Sequence, residues 1–124
     1  MTEHPNAVMA RQMADALSRG DMQALAEFLA DDVIWHEIGS SEPLRGKTSL
    51  AARSGSAVDY EITGELHDII ANDEHTIALV DATATRAGKT FKYRTAEIYH
   101  VRDGKIAERW AFSDDTAAIT AFFA

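Results

Sequence analysis

The order of patterns along the chain predicts an α+β domain, with helices packed on one face of an antiparallel sheet. Three observations carry that expectation. Helical period dominates the first 54 residues, long strand-like segments dominate residues 60 to 112, and Asp103-Gly104 is a preferred pair for a two-residue type I′ hairpin. No repeat, low-complexity tract or linker interrupts the chain, so residues 1–124 read as a single domain.

The first helix is expected over Ala7 to Arg19, where Met9, Met13 and Leu17 recur with Val8 and Ala16 beside them. Gly20 suits the left-handed residue that ends a helix, and Asp21 can cap the next. That second helix, Asp21 to Ala30, carries Met22, Leu25, Phe28 and Leu29 as its apolar stripe. A first strand follows over Val33 to Glu37, then a loop with Pro43, then a short third helix over Lys47 to Ser54. Long strands are expected over Tyr60 to about Ala71, Thr76 to Arg86 and Thr90 to Arg102, with a last strand over Ile106 to Phe112. Asp115 to Phe123 reads as a closing helix, with Ile119, Phe122 and Phe123 apolar.

Composition narrows the function classes. With 124 residues, 46% hydrophobic and 26% charged, the chain can bury a real core. A net charge of −8 with scattered basic residues argues against a nucleic-acid surface, which needs clustered Lys and Arg. The absence of cysteine excludes disulfides, thiolate nucleophiles and cysteine zinc sites. Neither a signal peptide nor a membrane span is legible, and the expectation is a cytoplasmic protein without membrane contact. His4, His67, His75 and His100 show no metal-ligand spacing, and no phosphate loop or nucleophile elbow is present, so no metal and no cofactor are expected.

The hairpin register points to candidate site residues. A turn at Asp103-Gly104 sets Tyr99 opposite Glu108, Glu97 opposite Trp110, Thr95 opposite Phe112 and Tyr93 opposite Asp114. If Ala87-Gly88 turns the preceding hairpin, Asp81 faces Arg94 on the other side of the sheet. The aromatic row should face the helices. Glu97 would then sit among Thr95, Tyr99 and Trp110, away from any cation, a setting that favours a protonated carboxyl able to donate to a substrate carbonyl. At the end of strand one, Trp35-His36-Glu37 brings a ring and two proton-transfer groups to one place, and alternation sends His36 and Glu37 to opposite faces. Either could act as general base. Trp35, Tyr99 and Trp110 are candidate ring contacts, and Asp114 is a further candidate unless one of Asp114 and Asp115 caps the closing helix.

The chain resembles the nuclear transport factor 2-like superfamily, in particular its SnoaL-like and ketosteroid-isomerase-like branches. The resemblance rests on Ala16-Leu17-Ser18-Arg19-Gly20-Asp21, Leu29-Ala30-Asp31-Asp32-Val33-Ile34-Trp35, Glu42-Pro43 with Gly46, and Arg102-Asp103-Gly104-Lys105-Ile106. It implies a cone, also called cystatin-like: a curved antiparallel sheet wrapped around three to four helices, with a pocket in the concave face. It further implies that Glu37 matches the proton-shuttling aspartate of the isomerase branch and Glu97 its protonated aspartate. That branch's oxyanion tyrosine falls on Met13, which cannot donate and would instead contact the ligand.

The functional expectation is a pocket for a small hydrophobic organic molecule, with cofactor-free acid–base chemistry beside a carbonyl of the isomerase, polyketide-cyclase or dehydratase type. The competing expectation is a binding or dimeric interaction module of the same fold. A homodimer through the outer sheet face is expected, with Ile98, Ala96 and Ala111 among Arg94, Arg109 and His100 on that face.

Overall fold

The computed structural model describes residues 3–54 and 59–124. The elements run α1 (Pro5–Ser18), α2 (Met22–Glu27), β1 (Leu29–Trp35), β2 (Leu44–Arg45), α3 (Lys47–Ser54), β3 (Tyr60–Ala71), β4 (His75–Arg86), β5 (Lys89–Arg102), β6 (Lys105–Ser113) and α4 (Thr116–Phe123). No helix among the described residues is long and apolar enough to cross a membrane.

Local chemistry sets most boundaries. Pro5 opens α1, where its missing N–H costs nothing. Gly20 ends the α1 turn at φ +68°, and Asp21 caps α2 by accepting the Ala24 N–H at 3.1 Å. Asp115 caps α4 in the same way, accepting from Ala118 at 3.0 Å. Ala87-Gly88 and Asp103-Gly104 both turn with two positive φ angles, the type I′ geometry that matches strand twist.

The curved six-stranded sheet runs β2-β1-β6-β5-β4-β3. One pairing differs from the antiparallel expectation: β1 lies parallel to β6, with Trp35 beside Arg109. The short β2 forms in the Pro43 loop by pairing antiparallel with β1. Strand β1 also begins at Leu29, inside the stretch expected to be helical, because α2 stops at Glu27.

The core lies between α1 and the concave sheet face. Ala7, Ala10, Met13 and Ala16 are the buried residues of α1, and the first three share one core cluster with Leu25, Leu29, Val33, Ile69, Ala78, Tyr99 and Ile106. The small side chains of Ala7 and Ala10 on the helix and Ala78 on β4, in one core cluster, let α1 approach the sheet closely. The stripe is therefore rotated from the Met9–Met13–Leu17 line: Leu17 is 49% exposed. Met13, expected to touch a ligand, is 2% exposed and belongs to this core.

The last hairpin carries the main correction. Val101 pairs with Ile106, but His100 pairs with Glu108, so Ala107 is an extra residue and the register slips by one. From there Tyr99 faces Arg109, Ile98 faces Trp110, Glu97 faces Ala111 and Ala96 faces Phe112. Arg109 and Ala111 turn inward, while Glu108, Trp110 and Phe112 turn to the outer face. The β4–β5 register is as expected, with Arg94 Nε donating to Asp81 Oδ1 at 3.0 Å.

Candidate functional site

An open cavity of about 1040 Å³ occupies the concave side, between the sheet, α2, α3 and α4. Its walls are mostly apolar, built from Leu17, Met22, Leu29, Leu50, Ile62 and Phe123 among others. Leu17, Met22 and Ile62 are 45–49% exposed because they face this space. Exposed apolar side chains gathered in one concavity make this space the candidate site.

The polar lining includes Glu37, Arg109, Tyr60, Tyr93, Lys47 and Glu42. Trp35 forms the wall beneath Arg109, whose guanidinium carbon lies 4.5 Å from the ring centroid. Lys47 Nζ is 3.5 Å from Asp31 Oδ1. At the rim, Gly39 takes φ +80°, and a Cβ there would come within 2.8 Å of Thr120 Oγ1 on α4, so the loop after β1 lies tight against that helix.

Arg109 is the pivot of the site. Its Nη2 donates to Glu97 Oε1 at 2.9 Å and its Nη1 donates to the His36 carbonyl at 2.9 Å. Its Nε is buried without a hydrogen-bond partner among the described residues. Glu97 also accepts from Tyr99 Oη at 3.0 Å and from Thr95 Oγ1 at 3.3 Å. With side chains only 12% and 19% exposed, Arg109 and Glu97 form a largely buried ion pair. Glu97 therefore has a cation beside it, contrary to the apolar setting expected. All three side-chain partners donate, so Glu97 acts as an acceptor, and it and Tyr99 stand behind the cavity wall that Arg109 presents.

Burial, and then the charge of Glu97, push the Tyr99 hydroxyl well above its ordinary pKa, with Arg109 opposing. Tyr93 is raised by the same two leading causes. The consequence for stability has a definite sign. Below about pH 10, folded and unfolded chains both keep these phenolic protons, and the stabilisation is fully present. As pH rises further the unfolded phenols ionise first, so stability is lost up to the folded pKa. Denaturant titrations across pH 9 to 11.5 should show that loss, and Tyr99→Phe should make it shallower.

The other expected residues lie elsewhere. His36 points to the outer face, where Nε2 is 2.6 Å from Glu108 Oε2 and the ring stacks on Trp110 at 5.7 Å with a 7° tilt. Trp110 is thus on the convex side, away from the cavity. Asp114 is not part of the cavity wall: Oδ1 accepts the Arg94 N–H at 3.1 Å, leaving the helix cap to Asp115. Of the expected residues, Glu37 and Trp35 reach the cavity; Arg109, expected on the outer sheet face, and Tyr93, expected inward without a role, join them. Among the described residues no three His, Asp or Glu side chains gather as a metal site would require.

Known proteins share this architecture. Residues 10–109 match the model of the SnoaL-like domain. An uncharacterized protein of Mycobacterium tuberculosis is 31% identical over 131 residues, covering 100% of both chains. A nuclear transport factor 2-like protein from Burkholderia pseudomallei superposes with a TM-score of 0.86 at 18% identity, over 98% of this chain and 99% of that one. A structure from a Silicibacter species, provisionally assigned as a polyketide cyclase, gives 0.77 at 21% identity over 96% and 93%. The chain belongs to the SnoaL-like family and has the nuclear transport factor 2-like fold.

Proposed function

We propose that the cavity binds a small, largely apolar organic molecule and moves a proton on a carbon next to its carbonyl, without a cofactor. The observation that carries this reading is Arg109: a guanidinium set in an apolar wall, braced by Glu97 and by Trp35, with N–H groups beyond the two that it gives to Glu97 and to the His36 carbonyl. A fixed cation in low dielectric stabilises an oxygen that gains negative charge, and its pre-set orientation avoids reorganisation during reaction. Glu37, on the same cavity wall, takes the proton from carbon and returns it to another position. Glu97 keeps Arg109 in place. The fold likeness to the Silicibacter structure, provisionally assigned as a polyketide cyclase, supports chemistry of the cyclase kind.

The test is hydrogen exchange in D2O. Wild-type protein should accelerate loss of the α-proton signals of small ring ketones such as 2-tetralone, and 2-naphthol should compete. Exchange at the buffer rate across a panel of such ketones, with no saturable binding of any, would overturn the reading.

Self-association through the outer sheet face is part of the same proposal. The register slip puts Trp110 and Phe112 on that face beside Ile98 and Ala96, continuous with Ile77, Leu79 and Ile70. Phe112 and Ile70 are 58% and 57% exposed. A strip of this kind supports a homodimer. Light scattering should give the dimer mass at micromolar concentration, and Phe112→Glu should shift it toward monomer; a wild-type monomer would contradict the proposal.

A further inference from the structure

We propose that Tyr93 is a second donor to the reacting oxygen, so that phenol and guanidinium together receive the carbonyl of the substrate. The inference rests on the proton-transfer reading above and deepens it by naming the ligand group the cavity recognises.

Tyr93 follows the inner-face alternation of Thr95, Glu97 and Tyr99 on β5, and it lines the same cavity as Arg109. Its cross-strand partner is Ala82, whose small side chain does not cover the ring. The ring is held by stacking on Phe91 at 5.3 Å, and Phe91 stacks in turn on Phe122 of α4 at 5.2 Å. The two inner phenols of β5 differ in one respect. Tyr99 is buried and donates its hydroxyl to Glu97, whereas the Tyr93 hydroxyl has no hydrogen-bond partner among the described residues. A half-buried phenol in an apolar wall with its hydroxyl unpaired is poised for a partner brought by the ligand.

Charge fits the role. Tyr93 lies close enough to Glu97 and Arg109 to feel both, and burial followed by Glu97 raises its pKa, so the phenol keeps the proton it must donate. The ligand oxygen would accept from Tyr93 and Arg109 while Glu37 takes the carbon-bound proton; the charge leaving Glu37 appears on that oxygen, and no other reactant is needed.

The measurement is an NMR titration of wild type, Tyr93→Phe and Tyr60→Phe with p-cresol and with toluene, which differ by the hydroxyl alone. Wild type should bind p-cresol more tightly than toluene. Tyr93→Phe should weaken p-cresol by about tenfold and leave toluene within about twofold. Unchanged p-cresol affinity in Tyr93→Phe would overturn the inference alone. So would parallel loss of both ligands, which would make Tyr93 a packing residue, or a loss that follows Tyr60→Phe, the other cavity phenol. If wild type binds neither ligand saturably, the proton-transfer reading falls and this inference with it.

Discussion

Glu37→Gln should slow α-proton exchange by about 10²–10⁴-fold, the usual size of a general-base effect, and change stability by less than about 1 kcal/mol. Glutamine fills the same volume and keeps the polarity, but it cannot take a proton. Glu37 follows β1 in a half-buried loop position, where no cavity is left by the exchange. The neighbouring His36 is the internal control. Its side chain faces the outer surface beside Glu108 and Trp110, and only its carbonyl touches Arg109. His36→Gln should therefore leave exchange near the wild-type rate. Exchange in D2O followed by proton NMR checks both; a fast Glu37→Gln protein would remove the base from the proposal.

Glu97→Ala should unfold more easily by about 3 kcal/mol, as removal of one partner from a buried pair leaves the other charge uncompensated. For a chain of this size the melting temperature should fall by roughly 10 °C. Arg109 would keep the His36 carbonyl and the Trp35 face but lose its anionic partner, and Tyr99 would lose the acceptor of its hydroxyl. Glu97→Gln retains a carbonyl acceptor at the same reach and should cost clearly less. Thermal unfolding followed by circular dichroism separates the two. An alanine variant as stable as wild type would show that the ion pair does not hold the site together.

The elements and their order were legible because local rules governed them. Capping at Asp21 and Asp115, the Asp103-Gly104 turn, and the Asp81–Arg94 cross-strand pair each follow from residues close in sequence or from one hairpin's arithmetic. The site was less legible because one extra residue, Ala107, reverses the facing of everything after it on β6. Alternation counted from the turn placed the large rings inward; the structure turns Arg109, Ala111 and Ser113 inward instead and leaves Trp110 and Phe112 outside.

A signal for that slip was present. The expected register set three carboxylates, Glu97, Glu108 and Asp114, in one apolar row with no cation, which is costly. Shifting β6 by one residue brings Arg109 beside Glu97 and moves Glu108 outward, as observed. The charge balance of a buried row was the better guide to register than its hydrophobicity. The stripe of α1 misled for a related reason: Leu17 is apolar because it faces the cavity, and sequence does not separate a cavity wall from a core. Tyr93 was placed on the correct face, but its open hydroxyl is visible only in three dimensions.

The most direct measurement is a crystal structure with 2-naphthol, whose hydroxyl stands in for the oxygen of an enolate. The ring should lie in the apolar cavity against Trp35, with its oxygen at hydrogen-bond distance from Arg109 and Tyr93 and a ring face toward Glu37. A ligand whose oxygen points to solvent at the cavity mouth, with the Arg109 guanidinium untouched, would contradict the central claim.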